Sequence, residues 1–544
     1  MRWNRPGKRL SVAVLTWSLT LGCAVAAPAV GTPALTTLRV FAHPAVPDLQ
    51  CDTVPRGAST AAAPDLDPRE MPDDDEVQAA LKEAGASMPP PMVRLPAGAG
   101  LLSRARPGEP YRVAIWGDSH LAAGFFTQEL AKILKLAPEQ VRAGFIPASM
   151  NRPGVRLPLR KTCVSPQWRY EPAHANAASA AAPGPGLVNL FSAQAGATLA
   201  WDLRNTAGVA EARQLRVLYH QTASPVRLTL SVDGDQEVEL VLSGAPGPAV
   251  LELAADGPLS LVRLRLVSGE LRLQGLALPL PSQTALQMDV FGYPGATMAG
   301  WRLAATDYLS TWFTQTPYNL VMMEFGTNEG NVKPFDATAY QASLRESVQR
   351  MRSVFPDAAC VLIAPGDRGV LVRRSEKWKR LPVSAHAVAD KKPGKGSAKS
   401  KSKKSTHSGT HPSATPGEAA SGKAKAKRRH KTAVAATENA PAMAALASPE
   451  SGQGPARNLL QYTRIHEEIG QIQSAAAQQQ GCTVWSMLQA MGGQGGAYRW
   501  ARQSPPLMAR DLIHFTVPGY QQLANQFAHD MGWDAAQLLS VTPP

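Results

Sequence analysis

Three short segments, far apart in the chain, carry residue types that could make and break an acyl bond. Gly117-Asp118-Ser119 follows an apolar stretch at 111–116 and precedes a helical pattern. A serine at such a strand-to-helix turn is exposed at a helix N-terminus, where backbone N–H groups can face a developing negative charge. Serine alone is a weak nucleophile and needs a base within hydrogen-bond reach. Asp511-Leu-Ile-His514 offers one, a carboxylate and an imidazole three residues apart just before the last helical pattern. A carboxylate so placed can hold the imidazole tautomer and support the imidazolium. Gly326-Thr-Asn328 ends a second apolar run and could aim a carboxamide N–H at the same place. Singly, each segment is common, and a turn serine or a capping aspartate is the default explanation. Their order on alternating strand and helix patterns is hard to explain by packing.

The elements around them fall into two rhythms. After Ser119 a helical pattern places Leu121, Phe125, Leu130, Ile133 and Leu134 on one side. A strand from Leu286 ends in Gly292-Tyr-Pro-Gly295, and a helical segment follows. The apolar run 320–325, a helix near 340–354 and a strand at 359–364 ending in Pro-Gly-Asp-Arg come next. A long helix at 457–480, a strand at 482–487 and a final helix carrying Tyr520, Leu523, Phe527 and Met531 complete the series. Residues 145–185 read as loop, broken by Pro147, Pro153 and Pro158. Between 187 and 280, short alternating runs split by Asp-Gly and Ser-Gly read as a small antiparallel β-sandwich. The expectation is an α/β protein whose parallel sheet is interrupted by an inserted sandwich.

The net charge of +14 on 544 residues looks like a nucleic-acid signal until it is localised. Residues 391–431 hold 13 Lys and Arg against the single acid Glu418, and Arg2, Arg5, Lys8 and Arg9 add four more charges. What remains is close to neutral, so no general nucleic-acid surface is expected. The basic tract lacks the aliphatic and aromatic content that would offset the entropy of ordering, and reads as disordered. Loose attachment to anionic envelope polymers and a solvated insertion with no partner are both open for it. The four N-terminal basic residues precede a short apolar stretch and Ala24-Val25-Ala26, the layout of a secretory signal peptide. Leu21-Gly22-Cys23 also hints at a lipoprotein site. Cys51, Cys163, Cys360 and Cys482 would remain after cleavage. They allow two disulfides in three pairings, with Cys360 and Cys482 on strands that could be neighbours, or else buried free thiols. No cysteine–histidine spacing suits zinc, and neither a metal nor a cofactor is expected. The acidic cluster Asp73, Asp74, Asp75 and Glu76 reads as the cap of a short helix ending near Gly85.

The blocks Gly-Asp-Ser-His at 117–120, Gly-Thr-Asn-Glu at 326–329 and Asp-x-x-His at 511–514 resemble those of the SGNH/GDSL hydrolase superfamily. The likeness covers about 111–135, 286–370 and 457–533. It implies a serine esterase with a three-layer α/β/α, flavodoxin-like sheet. On that resemblance Ser119 is the nucleophile, His514 the general base and Asp511 its orienting acid. The oxyanion hole comprises the Ser119 N–H, the Gly295 N–H and the Asn328 side chain, with Gly292 the alternative to Gly295. His120 is structural. The sandwich between the first two blocks, with the ending Asp-x-x-His-x-Thr-x-x-Gly-Tyr, is similar to bacterial peptidoglycan O-acetylesterases, whose inserted domain is similar to carbohydrate-binding modules.

The implied layout is a signal peptide (1–26), an Ala/Pro-rich tether (27–105), and hydrolase parts at 106–185, 283–375 and 457–544. These flank a sandwich (186–282) and a disordered Lys-rich insertion (376–456), which has no counterpart in the family pattern. The expected activity is release of O-acetyl groups from a polysaccharide, in the periplasm or outside the cell. An O-acetyltransferase and an inactive glycan-binding envelope protein are the alternatives.

Overall fold

A five-stranded parallel run organises the site. Its strands are β1 (Tyr111–Gly117), β2 (Leu286–Gly292), β3 (Leu320–Glu324), β4 (Ala359–Ala364) and β5 (Thr483–Ser486), in the spatial order 2-1-3-4-5. A two-residue strand, Val141–Arg142, extends the β2 edge. Alternation along the strands splits their side chains between two faces. Val113 and Ile115 join Leu130, Leu523 and Phe527 in one apolar cluster, whereas Ala114 and Trp116 join Leu344, Val348, Met351 and Ile469 in another. The first set draws on helices α2 (Phe125–Ile133) and α5 (Val517–Met531), the second on α3 (Ala337–Val354) and α4 (Gln461–Gln480). A sheet buried on both sides explains why its strands are nearly continuous apolar runs.

The computed structural model describes residues 32–43, 46–51, 69–85, 100–106, 108–175, 182–205, 207–314, 317–373, 458–535 and 538. The signal-peptide and lipoprotein readings and the Lys-rich insertion (376–456) lie outside these residues. Among the described residues no helix is long and apolar enough to cross a membrane.

The helical pattern after Ser119 is two helices, a short α1 (Ser119–Ala122) and α2, parted at Gly124 in the left-handed conformation. The break swings α2 so that Phe126 rather than Phe125 is fully buried with Leu130. At the N-terminal side, Asp73 caps Asp74–Ala84 with a reciprocal bond to Glu76, and Gly85 closes the helix, as the acidic cluster predicts.

Two further sheets are largely antiparallel. One, with seven strands, runs Ala34–Val40, Gly247–Ala255, Gln214–Gln221, Leu271–Ala277, Val188–Ser192 and Arg169–Pro172, with Phe145–Pro147 also paired to Leu271–Ala277. The other runs Val238–Leu242, Val226–Val232, Leu261–Ser268, Thr198–Asp202 and Lys161–Val164. Val217, Leu251 and Leu273 of the first share an apolar cluster with Leu228, Leu264 and Trp201 of the second. These sheets take strands from beyond 187–280. Ala34–Val40 comes from the stretch read as tether and pairs parallel with Gly247–Ala255. Three strands come from 145–185, read as loop, where proline fits because short edge strands spare a donor. Cys51 bonds to Cys163 and Cys360 to Cys482, which resolves the open pairing. The second bond ties the start of β4 to the residue before β5.

Candidate active site

All three chemistry-bearing segments meet at the carboxyl ends of the parallel strands, where ligands bind in open α/β sheets. β1 runs into Asp118, whose carboxylate accepts from the His120 N–H (2.9 Å) and caps α1, so Ser119 is the first helical residue. Leu512 adopts a left-handed φ of 55°, curling the chain so that Asp511 Oδ1 accepts from the N–H groups of Ile513 (3.0 Å) and His514 (2.9 Å). Thr516 then caps α5 by accepting from the Gly519 N–H.

The His514 Nδ1–H donates to Asp511 Oδ2 at 2.7 Å, and Nε2 accepts from the Ser119 hydroxyl at 3.0 Å. Ser119 and Asp511 are brought to the two ring nitrogens of one imidazole across 395 residues of sequence. Burial would raise the Asp511 carboxyl, but the His514 ring and the two amides hold it down to about 2. The hydrogen bond that His514 donates to Asp511 lifts the His514 pKa above the ordinary imidazole value, against the opposing effect of burial. A base of this kind is neutral above that raised value and can take a hydroxyl proton there.

The two candidate glycines differ sharply. A β carbon at Gly292 would lie 2.5 Å from the Ala122 nitrogen, so this position brings β2 against α1 and leaves no room for a side chain. Gly295 has a φ of 86° and open space where its β carbon would be. Asn328 reaches the same loops. Its Nδ2 donates to Asp118 Oδ2 (3.1 Å) and to the Ala296 carbonyl (2.9 Å), so serving an oxyanion requires exchange of one of these partners. His120 is buried, with Nδ1 3.2 Å from the Tyr520 hydroxyl and its ring against Phe515; burial pulls its pKa down to about 3.

Sequence reading passed over the carboxyls behind the serine. Glu324, the last residue of β3, is buried, and its Oε2 accepts from the Asp118 N–H at 3.2 Å. Burial, and then the Asp118 charge, raise Glu324 well above the carboxylate range. Burial also raises Asp118, to about 6, against hydrogen bonds from His120 N–H and Glu324. Glu329 accepts from the N–H groups of Met298 (2.8 Å) and Gly326 (3.1 Å), tying the β3 loop to the β2 loop, and burial raises it to about 7. A lone acid ending an apolar run was the available signal for Glu324. Among the described residues no group of three or more His, Cys, Asp or Glu could hold a metal ion.

No protein-family model matches the sequence, and no curated protein matches it. Among solved structures, a peptidoglycan O-acetylesterase aligns at 18% identity over 81% of this chain and 94% of its own, with a TM-score of 0.49. A salicylyl-acyltransferase of a tetracycline biosynthetic pathway aligns at 13% identity over 68% of this chain and 96% of its own, with a TM-score of 0.21. A GDSL-like lipase from Parabacteroides merdae aligns at 10% identity over 46% and 74%, with a TM-score of 0.23. The chain is thus similar to solved structures of an O-acetylesterase, an acyltransferase and a lipase, the last of these GDSL-like.

Proposed function

We propose that this chain is an exported serine esterase that hydrolyses O-acetyl groups on a polysaccharide, with peptidoglycan the first substrate to test. The observation that carries the reading is the Ser119–His514–Asp511 relay, with contacts of 3.0 and 2.7 Å. Ser119 attacks the acetyl carbonyl while His514 Nε2 takes its proton. His514 then returns the proton to the departing sugar oxygen, and water releases acetate from the serine ester. Asp511 holds the ring and steadies the imidazolium. The Ser119 N–H, the Gly295 N–H and the Asn328 carboxamide receive the oxyanion, Asn328 yielding its bond to Asp118 or to the Ala296 carbonyl.

The same reading takes the parallel sheet as a three-layer α/β/α flavodoxin-like core, supported by apolar clusters on both faces. It takes the two antiparallel sheets as an inserted sandwich with a glycan-binding role, and the enzyme as periplasmic or secreted. The Lys-rich insertion holds an anionic envelope polymer. The test measures acetate released from O-acetylated peptidoglycan and from acetylated xylan by wild type and Ser119→Ala, with and without an acceptor glycan. Release that needs Ser119 and exceeds transfer supports the reading. Undiminished p-nitrophenyl acetate hydrolysis by Ser119→Ala overturns it.

A further inference from the structure

Beside the candidate catalytic loop, two cations share one aromatic ring. Arg368 follows β4 in Pro365-Gly-Asp-Arg and lays its guanidinium carbon 3.8 Å from the centroid of the Tyr462 ring. Lys333, in the segment after β3, holds its Nζ 4.7 Å from the same centroid. Tyr462 is buried, and Arg368 is only 8% exposed. The Lys333 ammonium donates to Gln461 at 3.0 Å. Arg368 Nε and Nη1 are buried with no hydrogen-bond partner among the described residues, and no carboxylate there pairs with either cation. The ring face supports the charges only in part. A buried guanidinium with no carboxylate in contact and no partner for two of its nitrogens is costly unless something else completes it.

The place of this arginine is fixed against the catalytic loop. The Gly369 N–H donates to the Leu512 carbonyl at 3.0 Å, between Asp511 and His514 in sequence. Three residues earlier, a β carbon at Gly366 would meet the Phe515 ring at 2.9 Å. The guanidinium charge reaches both catalytic side chains. Burial lowers the Arg368 pKa against the support of the Asp511 charge, and the guanidinium opposes protonation of His514 against the larger support of the Asp511 hydrogen bond.

We infer that Arg368 and Lys333 form a carboxylate-binding subsite, so that the ester is presented by a glycan bearing a carboxylate near the acylated hydroxyl. This rests on the esterase reading and adds the substrate class. A guanidinium pairs well with a carboxylate, and with Nε and Nη1 closed to solvent the ligand meets Arg368 at its remaining nitrogen, supplying the contacting counter-charge that the fold leaves out. Lys333, exposed, adds a salt-sensitive attraction from the open side. A neutral glycan would leave the guanidinium with only the Tyr462 ring and the more distant Asp511 charge.

The full chain is assayed on an O-acetylated polyuronate, on the same polymer with its carboxylates reduced to alcohols, and on O-acetylated peptidoglycan. Reduction should lower wild-type kcat/KM at least tenfold. Arg368→Gln should lose at least tenfold more on the acidic polymer than on its reduced form, mainly through KM, and shift the acid limb of the pH profile upward. Lys333→Gln should lose a few-fold, with a shallower salt dependence. An Arg368-dependent preference for peptidoglycan over the polyuronate assigns the carboxylate to the lactyl or stem-peptide group, and the reverse to a uronate. Equal losses by Arg368→Gln on both forms of the polymer, or wild-type indifference to reduction, overturn the proposal.

A binding measurement separates the subsite from the chemistry. Ser119→Ala protein should bind an oligogalacturonate, and Ser119→Ala/Arg368→Gln should bind it at least tenfold more weakly. Equal binding by the two overturns the subsite alone. Wild-type ester hydrolysis by Ser119→Ala overturns the esterase reading alone.

Discussion

Replacing Gly292 by alanine tests whether the placement of Ser119, the proposed nucleophile, depends on backbone contact between β2 and α1. The new β carbon would sit 2.5 Å from the Ala122 nitrogen, 2.6 Å from its α carbon and 2.8 Å from the Leu121 carbonyl carbon, against 3.4–4 Å for ordinary contact. These are backbone atoms and cannot rotate away, so α1 must retreat by roughly 1 Å in a close-packed interior. With four residues, α1 moves as a unit and carries Ser119 with it. The 3.0 Å contact to His514 Nε2 would then open beyond hydrogen-bond range. A misplacement of about 1 Å can cost on the order of 10²-fold in rate, or about 2.7 kcal/mol of barrier. Stability should fall by about 1–3 kcal/mol from overpacking.

Gly295→Ala meets no atom within 4 Å and bears only the strain of a left-handed φ, about 1–2 kcal/mol of stability. Its N–H survives, so its rate should fall far less. The assay is kcat on p-nitrophenyl acetate per folded molecule, with thermal melts and labelling by a serine-directed phosphonate. A Gly292→Ala protein with wild-type kcat and wild-type melting temperature would refute the reasoning.

Asp511→Asn should lower kcat by up to about 10⁴-fold by favouring the wrong imidazole tautomer. Because Asp511 raises the His514 pKa, the wild-type acid limb of kcat/KM should lie above 6.5, with activity lost as pH falls through it, and the variant's residual activity should persist to lower pH. Asn328→Ala should cost on the order of 10²–10³ in kcat with KM little changed, read by steady-state kinetics. Removing the β4–β5 bond with Cys360→Ala/Cys482→Ala should cost about 2–5 kcal/mol, measured by urea unfolding without reductant.

The parts of the fold that showed in the sequence are those whose signal is local. β4 is visible as six apolar residues between breakers, and α5 from the spacing of Tyr520, Leu523, Phe527 and Met531. The relay was legible because Asp511 and His514 are neighbours on one tight turn and Ser119 follows a strand. Ala34–Val40 was not, since it is a mostly exposed edge strand with no alternation, held by a partner more than 200 residues away. Nor could Gly292 be told from Gly295, because the distinction lies in what each backbone meets across space. Arg368 was read only as a strand terminus. Its contact with the 511–514 loop depends on the Gly369–Leu512 hydrogen bond, which joins residues 143 apart and leaves no mark in local pattern.

The covalent tie between Cys360 and Cys482 spans the whole 374–457 segment. A protease that cut there would yield two polypeptides, the hydroxyl on the earlier fragment and the imidazole on the later one. The bridge would keep them a single molecule, migrating at full size until a thiol is added. Cleavage there would therefore divide the proposed catalytic groups between two chains without releasing either.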